Sequence, residues 1–128
     1  MKILLVEDHP LSQLVIKTQL IRFGCNVVTA STGAEAVQLA DESFDFILMD
    51  IGLPDYGIEG GIRATKEIRA KGGYLAIIPI VALTANEDDK LPRKMIEAGA
   101  NDYLNKPADD KLLEKIIMDY THRYPHAG

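Results

Sequence analysis

Ile3-Leu4-Leu5-Val6-Glu7-Asp8 opens the chain with four consecutive apolar residues that stop on two carboxylates. An apolar run without polar alternation reads as a strand buried on both faces. Phe46-Ile47-Leu48-Met49-Asp50 repeats the pattern, and Ile77-Ile78-Pro79-Ile80-Val81-Ala82-Leu83 leads in the same way to Thr84-Ala85. Segments of helical spacing lie between these runs, and parallel neighbouring strands need such crossovers. The alternation predicts an α/β domain, (βα)5 in order, with helices on both sides of a parallel sheet.

Working outward, Pro10 is a favoured first-turn residue and is expected to open a first helix that closes near Gly24. Asn26 to Ala30 forms a short second strand. Thr32-Gly33-Ala34-Glu35 matches a capping box, and Ala36, Val37, Leu39 and Ala40 give the second helix an apolar face. Residues 52–61 hold four glycines and one proline and read as a long loop, before a third helix from Ile62 to Ala70. Proline breaks a helix interior, so the fourth helix is expected to start at Pro92 and end at Gly99. Asn101 to Leu104 makes the fifth strand. Leu113, Ile116, Ile117 and Tyr120, spaced i, i+3, i+4, i+7, mark a fifth helix packed on the sheet. The chain divides into one domain over residues 1–120 and a C-terminal tail, expected to be frayed, over 121–128.

Composition narrows the function classes. A length of 128 residues, 47% hydrophobic and 26% charged, suits a single globular domain. The net charge of −5, without clustered Lys and Arg, argues against a nucleic-acid surface. The single Cys25 has no internal disulfide partner and reads as a small buried hydrophobe in a reducing compartment. No apolar run approaches the ~18 residues of a membrane span, and no signal-peptide pattern follows Met1-Lys2. A cytoplasmic domain without direct membrane contact is the expectation.

Ligands of an open parallel sheet bind at the carboxyl ends of its strands, near the point where the winding reverses. There the sequence places Glu7-Asp8, Asp50, Thr84-Ala85 and Lys106-Pro107. Three converging carboxylates repel one another and call for a cation. Hard oxygen donors suit Mg2+, with Mn2+ as a substitute, and the lack of paired Cys or His argues against zinc. The same groups suit phosphoryl transfer, in which a protein mainly positions a nucleophile and neutralises oxygens. Asp50 is the natural nucleophile, with precedent in aspartyl phosphates. Lys106 would neutralise one phosphoryl oxygen, and the Thr84 hydroxyl with the Ala85 amide another. Taken singly, Glu7-Asp8 could cap the first helix, Asp50 sit in a turn, Thr84 bond the backbone, Lys106 be solvated and His9 be an exposed loop residue. Joint placement at strand ends favours the site.

The sequence resembles the receiver domain of two-component response regulators and hybrid histidine kinases from Lys2 to about Tyr120. The resemblance is carried by Ile3-Leu4-Leu5-Val6-Glu7-Asp8, Met49-Asp50-Ile51-Gly52-Leu53-Pro54, Val81-Ala82-Leu83-Thr84-Ala85-Asn86 and Ala98-Gly99-Ala100-Asn101-Asp102-Tyr103-Leu104-Asn105-Lys106-Pro107. It implies a flavodoxin-like, doubly wound three-layer sandwich around a five-stranded parallel sheet of order 2-1-3-4-5. It further implies that Asp50 is the phosphoacceptor, that Asp8 and Asp50 bind Mg2+ directly, that Glu7 does so through water, and that the Gly52 carbonyl completes the protein ligands. Thr84 and Lys106 would read the phosphoryl group, Thr84 and Tyr103 would act as the switch pair, and the helix 4, strand 5 and helix 5 face would change on phosphorylation. A cis peptide is implied at Lys106-Pro107. The implied partners are a histidine kinase or a histidine phosphotransfer protein, and a weak dimer is compatible.

The stretches Arg63-Ala64-Thr65-Lys66-Glu67-Ile68-Arg69 and Ala82-Leu83-Thr84-Ala85-Asn86 look more like receivers of hybrid sensor kinases than of transcription factors. On that reading the chain is the cytosolic part of a membrane-bound sensor. A stand-alone response regulator and a receiver-like binding module that is never phosphorylated stay open as alternatives. An aspartyl phosphatase would usually carry an acid/base Asp two residues past the nucleophile, where Gly52 stands. A flavodoxin-like cofactor binder would need a phosphate loop where Glu7-Asp8-His9-Pro10 would repel phosphate. One departure from the family stands out: about three extra residues between Pro54 and Gly61, expected to enlarge the loop beside Asp50. Gly52 and Asn86 occupy positions that tune the lifetime of the phosphoryl group in the family.

Overall fold

The computed structural model describes residues 1–85 and 90–123. Five strands, β1 (Lys2–Val6), β2 (Asn26–Ala30), β3 (Phe46–Asp50), β4 (Ile80–Thr84) and β5 (Asp102–Asn105), form one parallel sheet of order β2-β1-β3-β4-β5. They alternate with helices α1 (Pro10–Arg22), α2 (Gly33–Leu39), α3 (Gly60–Ala70), α4 (Lys90–Ala98) and α5 (Asp110–Arg123). This is the expected (βα)5 arrangement. Winding runs outward from β1 in one direction to β2 and in the other to β3, so the reversal falls between β1 and β3.

Side chains alternate across each strand and build two cores. Leu4, Val6, Ile47, Met49, Ile80 and Ala82 pack with Ala36 of α2, Ile62 and Ile68 of α3 and Met95 of α4. Ile3, Leu5, Phe46, Leu48, Val81 and Leu83 pack on the opposite face with Ile16 and Leu20 of α1 and Leu113, Ile116 and Ile117 of α5. Both faces of the central strands are covered, which explains their unbroken apolar runs. Helix α1 is apolar around more of its circumference than the core needs, and leaves Leu11, Leu14, Val15 and Ile21 exposed.

Several boundaries differ from expectation, each for a local reason. Strand β4 begins at Ile80, since Gly73–Ala76 forms a 3-10 turn ahead of it and Ile78 is buried outside the strand. Helix α3 starts at Gly60, two residues early. Helix α4 starts at Lys90, so Pro92 is its third residue, inside the first turn where no amide donor is required. Strand β5 starts at Asp102 because Asn101 bonds to the start of β4: its amide donates to the Ile80 carbonyl at 2.7 Å, and its side-chain oxygen accepts from the Ile80 amide at 2.9 Å. Helix α5 continues to Arg123, three residues into the expected frayed tail, and residues 124–128 lie outside those described, as does Asn86. The Lys106-Pro107 peptide is cis, as the resemblance implied. Among the described residues, no helix is long and apolar enough to cross a membrane.

Candidate functional site

Register brings the polar strand ends together. Val6 pairs with Met49, which puts Glu7 level with Asp50 on the neighbouring strand. Asp50 in turn pairs with Leu83, and Thr84 with Asn105, so Thr84 and Lys106 follow directly at the same edge. The Glu7 amide still donates to the Ala30 carbonyl at 3.0 Å, extending the ladder by one bond past β1. Past Thr84, the Lys106 amide donates to the Thr84 carbonyl at 2.8 Å.

Carboxylate oxygens of Glu7, Asp8 and Asp50 lie within 4.8 Å of one another. Among the described residues this is the one such acidic group with metal-ligand spacing. Glu7 is fully buried and Asp50 and Thr84 nearly so, while Asp8 and Ala85 face solvent. The Lys106 ammonium sits 2.8 Å from Oε2 of Glu7 and 3.4 Å from Oδ2 of Asp50. The other Glu7 oxygen accepts the His9 amide at 3.1 Å, and the Glu7 carbonyl accepts from the Gln13 side chain at 2.8 Å.

The electrostatics reflect too much negative charge for one lysine. Burial first, then the Glu7 charge and a hydrogen bond to Asp8, push the Asp50 carboxyl up to about 7 against the opposing pull of Lys106. Burial works against the charge on Lys106, but its hydrogen bonds and attraction to Glu7 and Asp50 outweigh that and raise its pKa. An all-oxygen donor set, partly exposed through Asp8 and held in this excess of negative charge, fits a hard divalent cation of the Mg2+ type.

Other residues take roles that the sequence did not reveal. His9, not Glu7 or Asp8, caps α1, its Nδ1 accepting from the Ser12 amide at 3.3 Å. At α2 the Thr32 hydroxyl accepts from the Glu35 amide at 3.0 Å, as a capping box requires, but the Glu35 carboxylate reaches the Ser31 amide at 2.7 Å instead of that of Thr32. Tyr103 is 46% exposed. Gly52 is partly exposed and roomy, a Cβ there meeting only the Ile58 carbonyl at 3.8 Å. Gly61 is the opposite: a Cβ would overlap the Asp50 carbonyl oxygen and stand 2.8 Å from the Ile51 Cα.

Comparison with known proteins agrees with this geometry. The family model described as "Response regulator receiver domain" matches residues 3–118. A curated relative, hybrid signal transduction histidine kinase I of Dictyostelium discoideum, is 37% identical over 133 residues, covering 96% of this chain but 7% of the relative. The chain spans between 4% and 14% of the first curated relatives it matches. Among solved structures, the receiver domain of sensor histidine kinase PA1611 from Pseudomonas aeruginosa PAO1, with magnesium coordinated in its active-site cleft, superposes with a TM-score of 0.84. It is 40% identical and the match covers 94% of this chain and 97% of that one. The receiver domain of Saccharomyces cerevisiae Ssk1, in complex with the histidine phosphotransfer protein Ypd1, gives 0.79 at 33% identity, over 94% of this chain and 88% of the matched chain. With strand order, acidic cluster and family match in agreement, the chain belongs to the response regulator receiver domain family.

Proposed function

We propose that Asp50 accepts a phosphoryl group from a phosphohistidine on a histidine kinase or a histidine phosphotransfer protein. The observation that carries this reading is the convergence of Glu7, Asp8 and Asp50 within 4.8 Å beside the Lys106 ammonium. An Asp50 carboxylate oxygen attacks phosphorus, the P–N bond to the donor imidazole breaks, and the imidazole keeps the electron pair and takes up a proton. Asp8, Asp50 and the Gly52 carbonyl would hold Mg2+ directly and Glu7 through water, with Mn2+ as a substitute. Bound Mg2+ supplies positive charge that offsets the carboxylates and the incoming phosphoryl oxygens. Lys106 neutralises a second oxygen, while the Thr84 hydroxyl and the Ala85 amide donate to a third. Attack of water on phosphorus then breaks the P–O bond to Asp50, releases orthophosphate and returns the free carboxylate, and the domain's chemistry is these two steps.

New contacts to Thr84 and Lys106 in the phosphorylated state bias the β4–α4 and β5 segments, with Tyr103 turning inward, and so alter the α4, β5 and α5 face. Residues 1–120 act as the receiver unit, and α5 carries it on to Arg123. The hybrid signal transduction histidine kinases among its relatives support a receiver of that type, and on this reading it works on the cytoplasmic side. Incubation with acetyl phosphate and Mg2+ should add about 80 Da to the intact protein, reversibly, and Asp50→Asn should abolish the addition. Labelling that survives Asp50→Asn sinks the assignment, and no labelling of the parent would favour a receiver-like binding module.

A further inference from the structure

The loop after Asp50 is tied down at its tip. Asp55 is exposed, yet both of its carboxylate oxygens are engaged: Oδ1 accepts from the Gly33 amide at 2.8 Å and Oδ2 from the Ala34 amide at 2.9 Å. These are the first two donors of α2, which no carbonyl within the helix can reach. Thr32 covers the third, through Glu35. Tyr56 makes a second hold. Its ring lies so close to Gly33 that a Cβ there would come within 2.5 Å of it. The Arg63 guanidinium sits 3.8 Å from the ring centroid, and the Tyr56 hydroxyl donates to Glu67 at 3.0 Å. The loop tip therefore touches α2 and α3 at once.

Within the loop, Leu53 and Gly57 exchange two backbone hydrogen bonds, of 3.1 and 2.7 Å, and close a small ring that contains Asp55. The Gly61 amide donates to the Ile51 carbonyl at 2.6 Å on the other side. Between Asp50 and the ring stand only Ile51 and Gly52. Their backbone goes where the ring is held, and Asp55 supplies the two hydrogen bonds that join the ring to α2, beside the packing of Tyr56.

We propose that Asp55 is a positioning residue for the metal site: by clamping the loop to the N-terminus of α2, it fixes the Gly52 carbonyl where it can serve as a ligand. This rests on the Mg2+ reading given above. A carboxylate suits the task, since two charge-assisted bonds to helix-terminal amides hold it in one orientation. Burial acts against its charge, but the Ala34 and Gly33 amides and those of the loop itself keep the Asp55 carboxyl below its usual range.

The test compares Mg2+ affinity, measured by titration calorimetry, and melting temperature in the parent, Asp55→Ala, Asp55→Asn and Thr32→Ala. Asp55→Ala and Thr32→Ala both strip acceptors from the α2 N-terminus and should both lower the melting temperature. Only Asp55→Ala should weaken Mg2+ binding, by roughly fivefold, since outer partners of metal ligands commonly govern affinity by about tenfold or more and a backbone ligand is one of several. Asp55→Asn keeps one acceptor oxygen and should recover part of the loss. It carries the comparison if the alanine variant does not fold. In acetyl phosphate labelling, the Mg2+ concentration for half-maximal rate should rise while the rate at saturating Mg2+ holds. Unchanged Mg2+ affinity in both Asp55 variants, or an equal weakening in Thr32→Ala, overturns the inference alone. Failure of the parent to bind Mg2+ overturns the functional reading beneath it.

Discussion

The Lys106 ammonium lies 2.8 Å from Oε2 of Glu7, in a pair whose acid is fully buried and whose base is 14% exposed. Glu7 thus gives up water for one cation and the His9 amide. Breaking such a pair strands a buried charge, so Lys106→Ala should destabilise the metal-free protein by about 3 kcal/mol. Saturating Mg2+ should return part of that loss, because a divalent cation beside Glu7 replaces the missing charge. Urea denaturation with Mg2+ and with a chelator measures both. A loss that is the same in the two conditions would count against a metal at this edge.

Asp50 makes the metal-free protein sensitive to pH. Its carboxyl is raised from 3.8 to about 7 in the folded state, so the fold binds a proton more tightly than the unfolded chain does. The sign follows: the stability this proton confers is complete below pH 4 and is lost as pH rises towards 7. Asp50→Asn does not titrate, so it should match the parent near pH 4 and exceed its stability by on the order of 2 kcal/mol above pH 7, at about 1.4 kcal/mol per pKa unit and with relaxation around Lys106 reducing the total. Denaturation in chelator across that range checks it. A difference independent of pH would mean that Asp50 ionises as an ordinary carboxylate.

Two glycines flanking the same loop should respond in opposite ways to alanine. At Gly52 the added methyl meets nothing closer than 3.8 Å, and Gly52→Ala should stay within about 0.5 kcal/mol of the parent. At Gly61 it collides with the backbone of Asp50 and Ile51, which cannot swing aside as a side chain can. Gly61→Ala should cost about 3 kcal/mol by overpacking and slow the labelling of Asp50 as well. Thermal melts paired with labelling rates separate the two positions.

Strand ends were readable because a buried parallel strand writes itself as an apolar run and its carboxyl edge as the first polar residue afterwards. Glu7, Asp50 and Thr84 each follow such a run, and the sheet order then brings them together. The start of β4 was not readable, since Ile78 is buried under the preceding turn and looks like strand from its chemistry alone. Pro92 misled in the other direction, because the rule against proline applies to a helix interior and not to its first turn. Asp55 left no local signal at all. Its partners, Gly33 and Ala34, are more than 20 residues away, and only the folded chain places an α2 terminus beside that loop. Arg69 is similar: its guanidinium donates to the carbonyls of Gly99 and Leu75 and to Asn101, partners that only the folded chain brings to it.

Gly61 touching the Asp50 carbonyl also sets where this chain can vary in length. The start of α3 is pinned against the acceptor strand, so residues added to the connection cannot be absorbed there. They have to bulge on the far side of Gly60, over α2. The contour over α2 can therefore change with the length of the connection while the distance from Asp50 to the start of α3 stays constant.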